Sequence, residues 1–392
     1  MTHLILLFYA FLFCTSCTEK NKTGNLADDH LWTIDVNKEY PTKDIYLQDI
    51  ADVDYIPLET NDSILWVGRE IVYMDEDYII GASRNTGIYF HDKTGKALRA
   101  FHKRGQGPEE YTTFSSIQYD KESDEIYLVD HLQDERYYIY DSKGNFKRTF
   151  QANDFYSRII DGKHIMKSIS EFFILNAEEL IQYQKHRNCY TRVSRQTGKH
   201  LGDIELPGKD STLTLIYRRE SDGMLFSTIA PHSIKDENGY ILTAFPSDTT
   251  YLLTKDLQIR PIGIRTPPIN TMEVPIFLFP ARSTTRYYFM YTVKKEDRFP
   301  RKLYMLDKKE NQIYHLDNYF KNRDFKDKEH ALDFYGPASE ANLPSNVCVE
   351  SLNIDRLIEA YQEGKLSGKL KDIAANLKED DNPVLMVVKF KE

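Results

Sequence analysis

From Ile45 onward the chain sets short apolar runs between polar turn residues, and the runs recur. One stretch carries Tyr78, Ile79 and Ile80, then Ile88, Tyr89, Phe90, His91 and Asp92. It turns through Lys93, Thr94 and Gly95 and returns to Phe101. A second carries Ile126, Tyr127, Leu128 and Val129, then Tyr138, Ile139, Tyr140 and Asp141, turns through Gly144, and returns to Phe150. Tyr78 to Tyr127, Asp92 to Asp141, Gly95 to Gly144 and Phe101 to Phe150 are each 49 positions apart. Four landmarks sharing one spacing predict a repeated unit of strand, hairpin and strand. In Asp-x-x-Gly the Asp folds back on its own backbone and the Gly takes the positive φ that reverses the chain.

Looser copies follow. Tyr190 begins a strand that ends in a turn at Gly198. Thr250 to Asp256 keeps strand and Asp, as does Leu303 to Lys309. A repeat of this length holding about four strands is the signature of a β-propeller, because one such sheet cannot bury both faces alone and stacks with its copies around a ring. Five units and a sixth assembled from the two chain ends predict an all-β, six-bladed β-propeller over residues 44–392. Asp54, Tyr55, Ile56, Pro57 and Leu58 near the start, and residues 384–390 at the end, are the candidates for ring closure. Within the last blade the rhythm breaks. Leu357, Ile358 and Tyr361 fall at helical spacing before Gly364, and a second short helix over 369–377 must stop before Pro383. These predict a short helical insertion near the C-terminus, about 351–378. Residues 178–183 read as another helical or irregular excursion.

Composition agrees. Aromatic residues make up 13% of the 392 positions, with 27 Tyr and 21 Phe against 2 Trp, a weighting that suits pleated, half-buried strands. A formal net charge of −9 supplies no basic field for a phosphate backbone, so nucleic acid is not an expected partner.

The N-terminus has its own pattern. Residues 4–13 are nearly all apolar, followed by Cys14, Thr15, Ser16, Cys17 and a polar stretch. Ten helical residues reach about 15 Å, roughly half a hydrocarbon core, so the run reads as a signal-peptide core over 1–16 and not as a span. The small residues before Cys17 resemble a bacterial lipobox, with Cys14 standing where Leu is usual. That likeness implies lipidation at Cys17 and a polar tether over 17–43. Simple secretion is the alternative. Cys189 and Cys348 then remain, either as a pair in an oxidising compartment or as two buried thiols.

Gly105, Gln106, Gly107, Pro108, Glu109, Glu110 and Tyr111 resemble the GxGPxEY segment of the six-bladed β-propeller lipoproteins of Bacteroidetes. The stretches Val53 to Thr60, Asp248 to Tyr251 and Asp381 to Leu385 are similar to other parts of that pattern. The resemblance implies an NHL-like or TolB-like propeller in the cell envelope, lipid-anchored to the outer membrane on its periplasmic or surface face, with binding of an extracytoplasmic ligand or protein.

The segment from Gly105 to Tyr111 is not a dinucleotide fingerprint, since Glu110 stands at the third glycine position and no βαβ pattern surrounds it. It has two readings: a rigid link between blades, or a ligand site with Lys103, Arg104, Gln106 and Glu109 at the mouth of the central channel. Arg282, Arg286, Tyr287 and Tyr288 form a basic, aromatic cluster able to meet an anionic glycan, or simply alternate between core and solvent. The 11 histidines form no HExxH or HxH spacing. The acidic turns lack the Asp-x-Asp-x-Asp-Gly pattern of a calcium loop, and no GxSxG elbow appears. No metal or cofactor is therefore expected. The expectation is a non-enzymatic module for an unknown ligand, a glycan, peptide or envelope protein. The alternative is a propeller-fold polysaccharide lyase, hydrolase or lactonase working at the channel mouth.

Overall fold

The computed structural model describes residues 31–392 apart from 62–63, 65, 67–69, 85, 131, 134–135, 153–158, 161–162, 165–168, 185–188, 207–215, 220, 222, 228–232, 244–245, 317–319, 327–328 and 331–342. Its strands form the six-bladed β-propeller that the repeat predicts. The first blade is built from Glu70–Met74, Tyr78–Ser83, Gly87–Asp92 and Ala97–Phe101. The second uses Ser116–Asp120, Glu125–Asp130, Arg136–Tyr140 and Phe146–Gln151. The third uses Ile169–Ile174, Glu179–Gln184, Cys189–Ser194 and His200–Ile204. In each the strands pair antiparallel in chain order. The fourth blade (Ser233–Asp236, Gly239–Thr243, Thr249–Thr254, Ile259–Thr266) and the fifth (Ile276–Ser283, Tyr287–Lys294, Arg301–Asp307, Gln312–Leu316) follow the same order. The first strands of the first and second, second and third, and fourth and fifth blades pack on one another.

The predicted turn chemistry is present. Asp92 Oδ1 accepts from the backbone of Thr94 at 2.8 Å, and Gly95 takes φ +89°. Asp141 Oδ1 accepts from Lys143 at 2.9 Å and Asn145 at 2.8 Å, and Gly144 takes φ +83°.

Strand alternation decides which neighbour each side chain meets. Tyr127 and Val129 join Phe172 and Leu180 of the third blade in one buried cluster, whereas Ile126 and Leu128 join Ile80 and Phe90 of the first in another. Nearly all the buried apolar residues of the described chain fall into six such clusters, one in each space between blades. This explains why runs such as Ile126 to Val129 are apolar at every position: both sheet faces are covered.

The sixth blade closes the ring as expected. Ala51–Pro57 pairs antiparallel with Val384–Phe390, setting Asp54 opposite Val387 and Ile56 opposite Leu385, and Val347–Leu352 pairs on the other side. The helices Ile354–Gln362 and Gly368–Ala374 are inserted between Val347–Leu352 and Val384–Phe390. Asn353 caps the first by accepting from the Arg356 amide, and Gly364 follows it at φ +69°.

Two expectations need correction. Part of the stretch read as tether is folded: Trp32–Asp35 adds a fifth, parallel strand to the fourth blade, and Thr42–Lys43 does the same for the fifth. The cause is local alternation. Trp32, Ile34 and Val36 point one way, Ile34 is fully buried, and the Trp32 indole lies on Gly263, where any Cβ would collide with it. Residues 178–183 are no excursion either, since Glu179–Gln184 is an interior strand of the third blade. Its polar positions are satisfied: Arg192 of the adjacent strand donates to Glu179 at 2.6 and 2.7 Å, and Gln182 donates to the Tyr137 hydroxyl of the second blade at 2.6 Å. Cys189 and Cys348 are both buried, in the third and sixth blades, and no disulfide joins them.

Candidate functional site

At the end of the ring where the first strand of each blade turns into its second, the hairpins draw together around a cavity of about 630 Å³. The first four blades contribute the ends of these strands and their turns, and Pro344 to Asn346 close the side next to the sixth blade. Tyr73, Tyr119 and Tyr240 give the floor its aromatic edges, and each hydroxyl is tied down. Tyr73 donates to Asp75 at 2.8 Å, Tyr119 to Asp124 at 3.2 Å, and Tyr240 to the Ile174 carbonyl at 3.2 Å.

The wall between the second and third blades is an ion network. Arg195, only 3% exposed, reaches Asp120 and donates to the Tyr127 hydroxyl at 3.1 Å and the Asn176 carbonyl at 2.8 Å. Glu125 takes Arg148 at 2.9 Å and the Tyr127 hydroxyl at 2.5 Å. Burial works against its charge, yet Arg148 and Tyr127 hold the Glu125 carboxyl down to about 2. Burial likewise opposes the Arg195 charge, and Asp120 and Tyr127 more than offset it, so its pKa is raised. Lys121 spans the first and second blades at 2.5 Å from both Asp75 and Asp77.

Two cations on the cavity lining have no such counterpart. Lys235, half-buried at the end of the first strand of the fourth blade, and Lys255, exposed in that blade's outer turn, carry no ion pair among the described residues. Burial pushes the Lys235 ammonium below the usual lysine range, and the charge of Lys255 adds to the shift.

The residues singled out from sequence lie elsewhere. Lys103, Arg104, Gln106 and Glu109 are all exposed on the link that enters the first strand of the second blade, whereas the cavity lies at the far end of that strand. The link is closed on itself. Gly105 donates to the Tyr111 carbonyl at 3.0 Å, Tyr111 to Lys103 at 3.1 Å, and Gly107 to the Glu110 carboxylate at 2.9 Å. A Cβ at Gly105 would collide with that carboxylate. Tyr140 donates to the Glu109 carbonyl at 2.6 Å, and Arg104 to Thr112 at 2.9 Å. These bonds close the segment into a compact link between the first and second blades. Arg286 and Arg282 sit at the cavity end of the fifth blade and are engaged in structure. Arg286 holds buried Asp307 at 2.8 Å, and Arg282 donates to the Val347 carbonyl at 2.8 Å. The structure therefore does not gather the six residues into one site. Cys17 lies outside the described residues.

Sequence reading missed Lys235, Lys255 and Arg195. The repeat placed Arg195 and Lys255 just past a strand end, in turns, which is the available signal. Nothing local marks Lys235, because the cavity is made by four blades at once. Among the described residues no group of three or more His, Cys, Asp or Glu gathers as a metal site would require.

Fold and cavity together define the class: a six-bladed propeller with a polar funnel at one end of its ring. The chain belongs to the family described as a domain of unknown function (DUF4934), which matches residues 31–263. No curated protein matches it. Among solved structures it is similar to a "putative exported protein" from Bacteroides fragilis, at 15% identity and a TM-score of 0.60, covering 92% of this chain and all of that one. It is also similar to a member of the DUF4221 family from Bacteroides vulgatus, at 12% identity and a TM-score of 0.50, covering 88% of this chain and 99% of that one. At such identities the likeness establishes the shared fold.

Proposed function

We propose that this protein is an extracytoplasmic binding module, tethered through lipid on Cys17, that takes a small polar ligand such as a glycan or peptide into the funnel. The observation that carries this reading is the funnel itself. Its volume falls within the range of about 300–1,000 Å³ usual for ligand sites, and its walls are fixed by hydrogen bonds and ion pairs before any ligand arrives. Walls already ordered lose little conformational entropy on binding. Support for export comes from the apolar leader ahead of Cys17 and from the fold shared with a protein described as exported. Membership of the NHL-like or TolB-like propellers is part of the same proposal and rests on the sequence resemblance.

The test is a thermal-shift screen of the purified protein against glycans and peptides. A true ligand raises Tm, by the equivalent of about 2.7 kcal/mol at a hundredfold excess over Kd. Ala177→Trp, on the exposed cavity rim, should abolish the shift, and Gln106→Ala, at the other end of the blades, should leave it intact. A shift lost with Gln106→Ala and kept with Ala177→Trp moves the site to the link. Failure of every probe to shift Tm removes the binding reading. For the anchor, Cys17→Ala should release the protein from the membrane fraction, and an unchanged distribution would reject lipidation.

A further inference from the structure

Resting on the reading of the funnel as a binding site, we infer that Lys235 and Lys255 make it a receptor for an anionic group, a carboxylate or a sulfate carried on a small polar ligand. The case comes from accounting for each charge on the lining. Asp120 is taken by Arg195, and Lys121 is taken by Asp75 and Asp77. Asp236 accepts from the Ser283 hydroxyl at 2.6 Å and Glu237 from the Thr285 hydroxyl at 3.0 Å, so both acids are drawn towards the fifth blade. Glu122, the remaining acid, sits in the hairpin turn of the second blade, while both lysines belong to the fourth. What is left at the fourth blade is two ammonium groups that form no ion pair among the described residues.

Such an arrangement is unfavourable when empty. Lys235 has lost part of its hydration to burial, and the nearby charge of Lys255 disfavours its protonated form further. An arriving anion would supply charge-assisted hydrogen bonds to the half-buried amine and screen the two cations from each other. Selection would follow, since a neutral ligand of the same shape would leave both ammonium groups as they are. Lysine suits this role because its ammonium is a point charge on a flexible stem, able to meet a carboxylate or a sulfate without a bidentate fit.

The experiment is residue-resolved lysine acetylation of the purified protein, read by mass spectrometry. It is run with a uronate oligosaccharide, a sulfated one and a neutral one of equal length. The uronate or the sulfated probe should slow labelling at both Lys235 and Lys255 and leave exposed Lys93, on the outer turn of the first blade, unchanged. The stronger of the two identifies the anion. Lys235→Met should weaken the anionic probe about tenfold, equivalent to one good charge-assisted bond, and Lys235→Arg should retain most of the binding, which also shows that the site tolerates substitution. Equal protection by the neutral probe, or binding unchanged in Lys235→Met, overturns the anion assignment and leaves the funnel as a binding site for neutral ligands. Absence of protection by all three also overturns it, while the Tm screen with Ala177→Trp judges the funnel separately.

Discussion

Phe101 of the first blade lies against Gly144 of the second: a Cβ built on Gly144 would stand 2.7 Å from the ring's Cγ. Phe150 repeats the relation with Gly198 of the third blade, where a Cβ would stand 2.6 Å from Phe150 Cδ2. The Gly and Phe landmarks of the repeat are thus two halves of one contact, made between consecutive blades. Gly144→Ala should destabilise the protein by about 1–3 kcal/mol, from positive φ and overpacking together. Phe101→Leu in the same chain should recover part of the loss. Urea unfolding of the two single variants and the double variant measures the coupling.

His91 is fully buried and packs on Trp66, with ring centroids 6.0 Å apart. Burial pushes its pKa down to about 4, from an ordinary value near 6.5. The folded state therefore resists protonation that the unfolded chain accepts. Its contribution to stability is complete above about pH 6.5 and is lost as pH falls towards 4. The full effect is on the order of 3 kcal/mol. His91→Phe should flatten the stability profile between pH 6.5 and 4, as measured by urea unfolding at several pH values.

Arg195 holds Asp120, the Tyr127 hydroxyl and the Asn176 carbonyl from a nearly buried position. Removing one partner of such a network strands the other, so Arg195→Met should cost about 3–5 kcal/mol. A thermal melt should show the loss, and Lys121→Met, whose ion pairs are largely exposed, should cost under about 1 kcal/mol.

Ile34 tests the extra strand on the fourth blade. Its side chain is fully buried among Ile241, Leu252 and Tyr288. Ile34→Ala should cost about 2–4 kcal/mol, whereas a free tether at this position would leave unfolding unchanged.

The fold was legible because propeller blades are local hairpins repeated at a fixed interval. Asp92, Gly95 and Phe101 announce the unit, and their counterparts in the second blade confirm it. Pairing across the ring was legible at Ile56 and Leu385 from their apolar runs alone. Trp32–Asp35 escaped notice because its alternation is brief and flanked by polar residues. Residues 178–183 misled because Glu179 and Gln182 are polar yet satisfied, the one by Arg192 of the same sheet and the other by Tyr137 of the second blade. The funnel was the least legible part. Lys235 and Lys255 of the fourth blade meet Arg195 and Tyr119 only when separate blades come together, and no spacing along one blade encodes that meeting.

Ring closure joins Ala51–Pro57 to Val384–Phe390, so a strand made early waits for one made more than three hundred residues later. A chain interrupted before Val384 would hold up to five assembled blades and still present Ala51–Pro57 as a bare edge, ready to pair with another chain. A fragment lacking Val384–Phe390 is thereby set to self-associate, whereas pairing with that strand covers the edge.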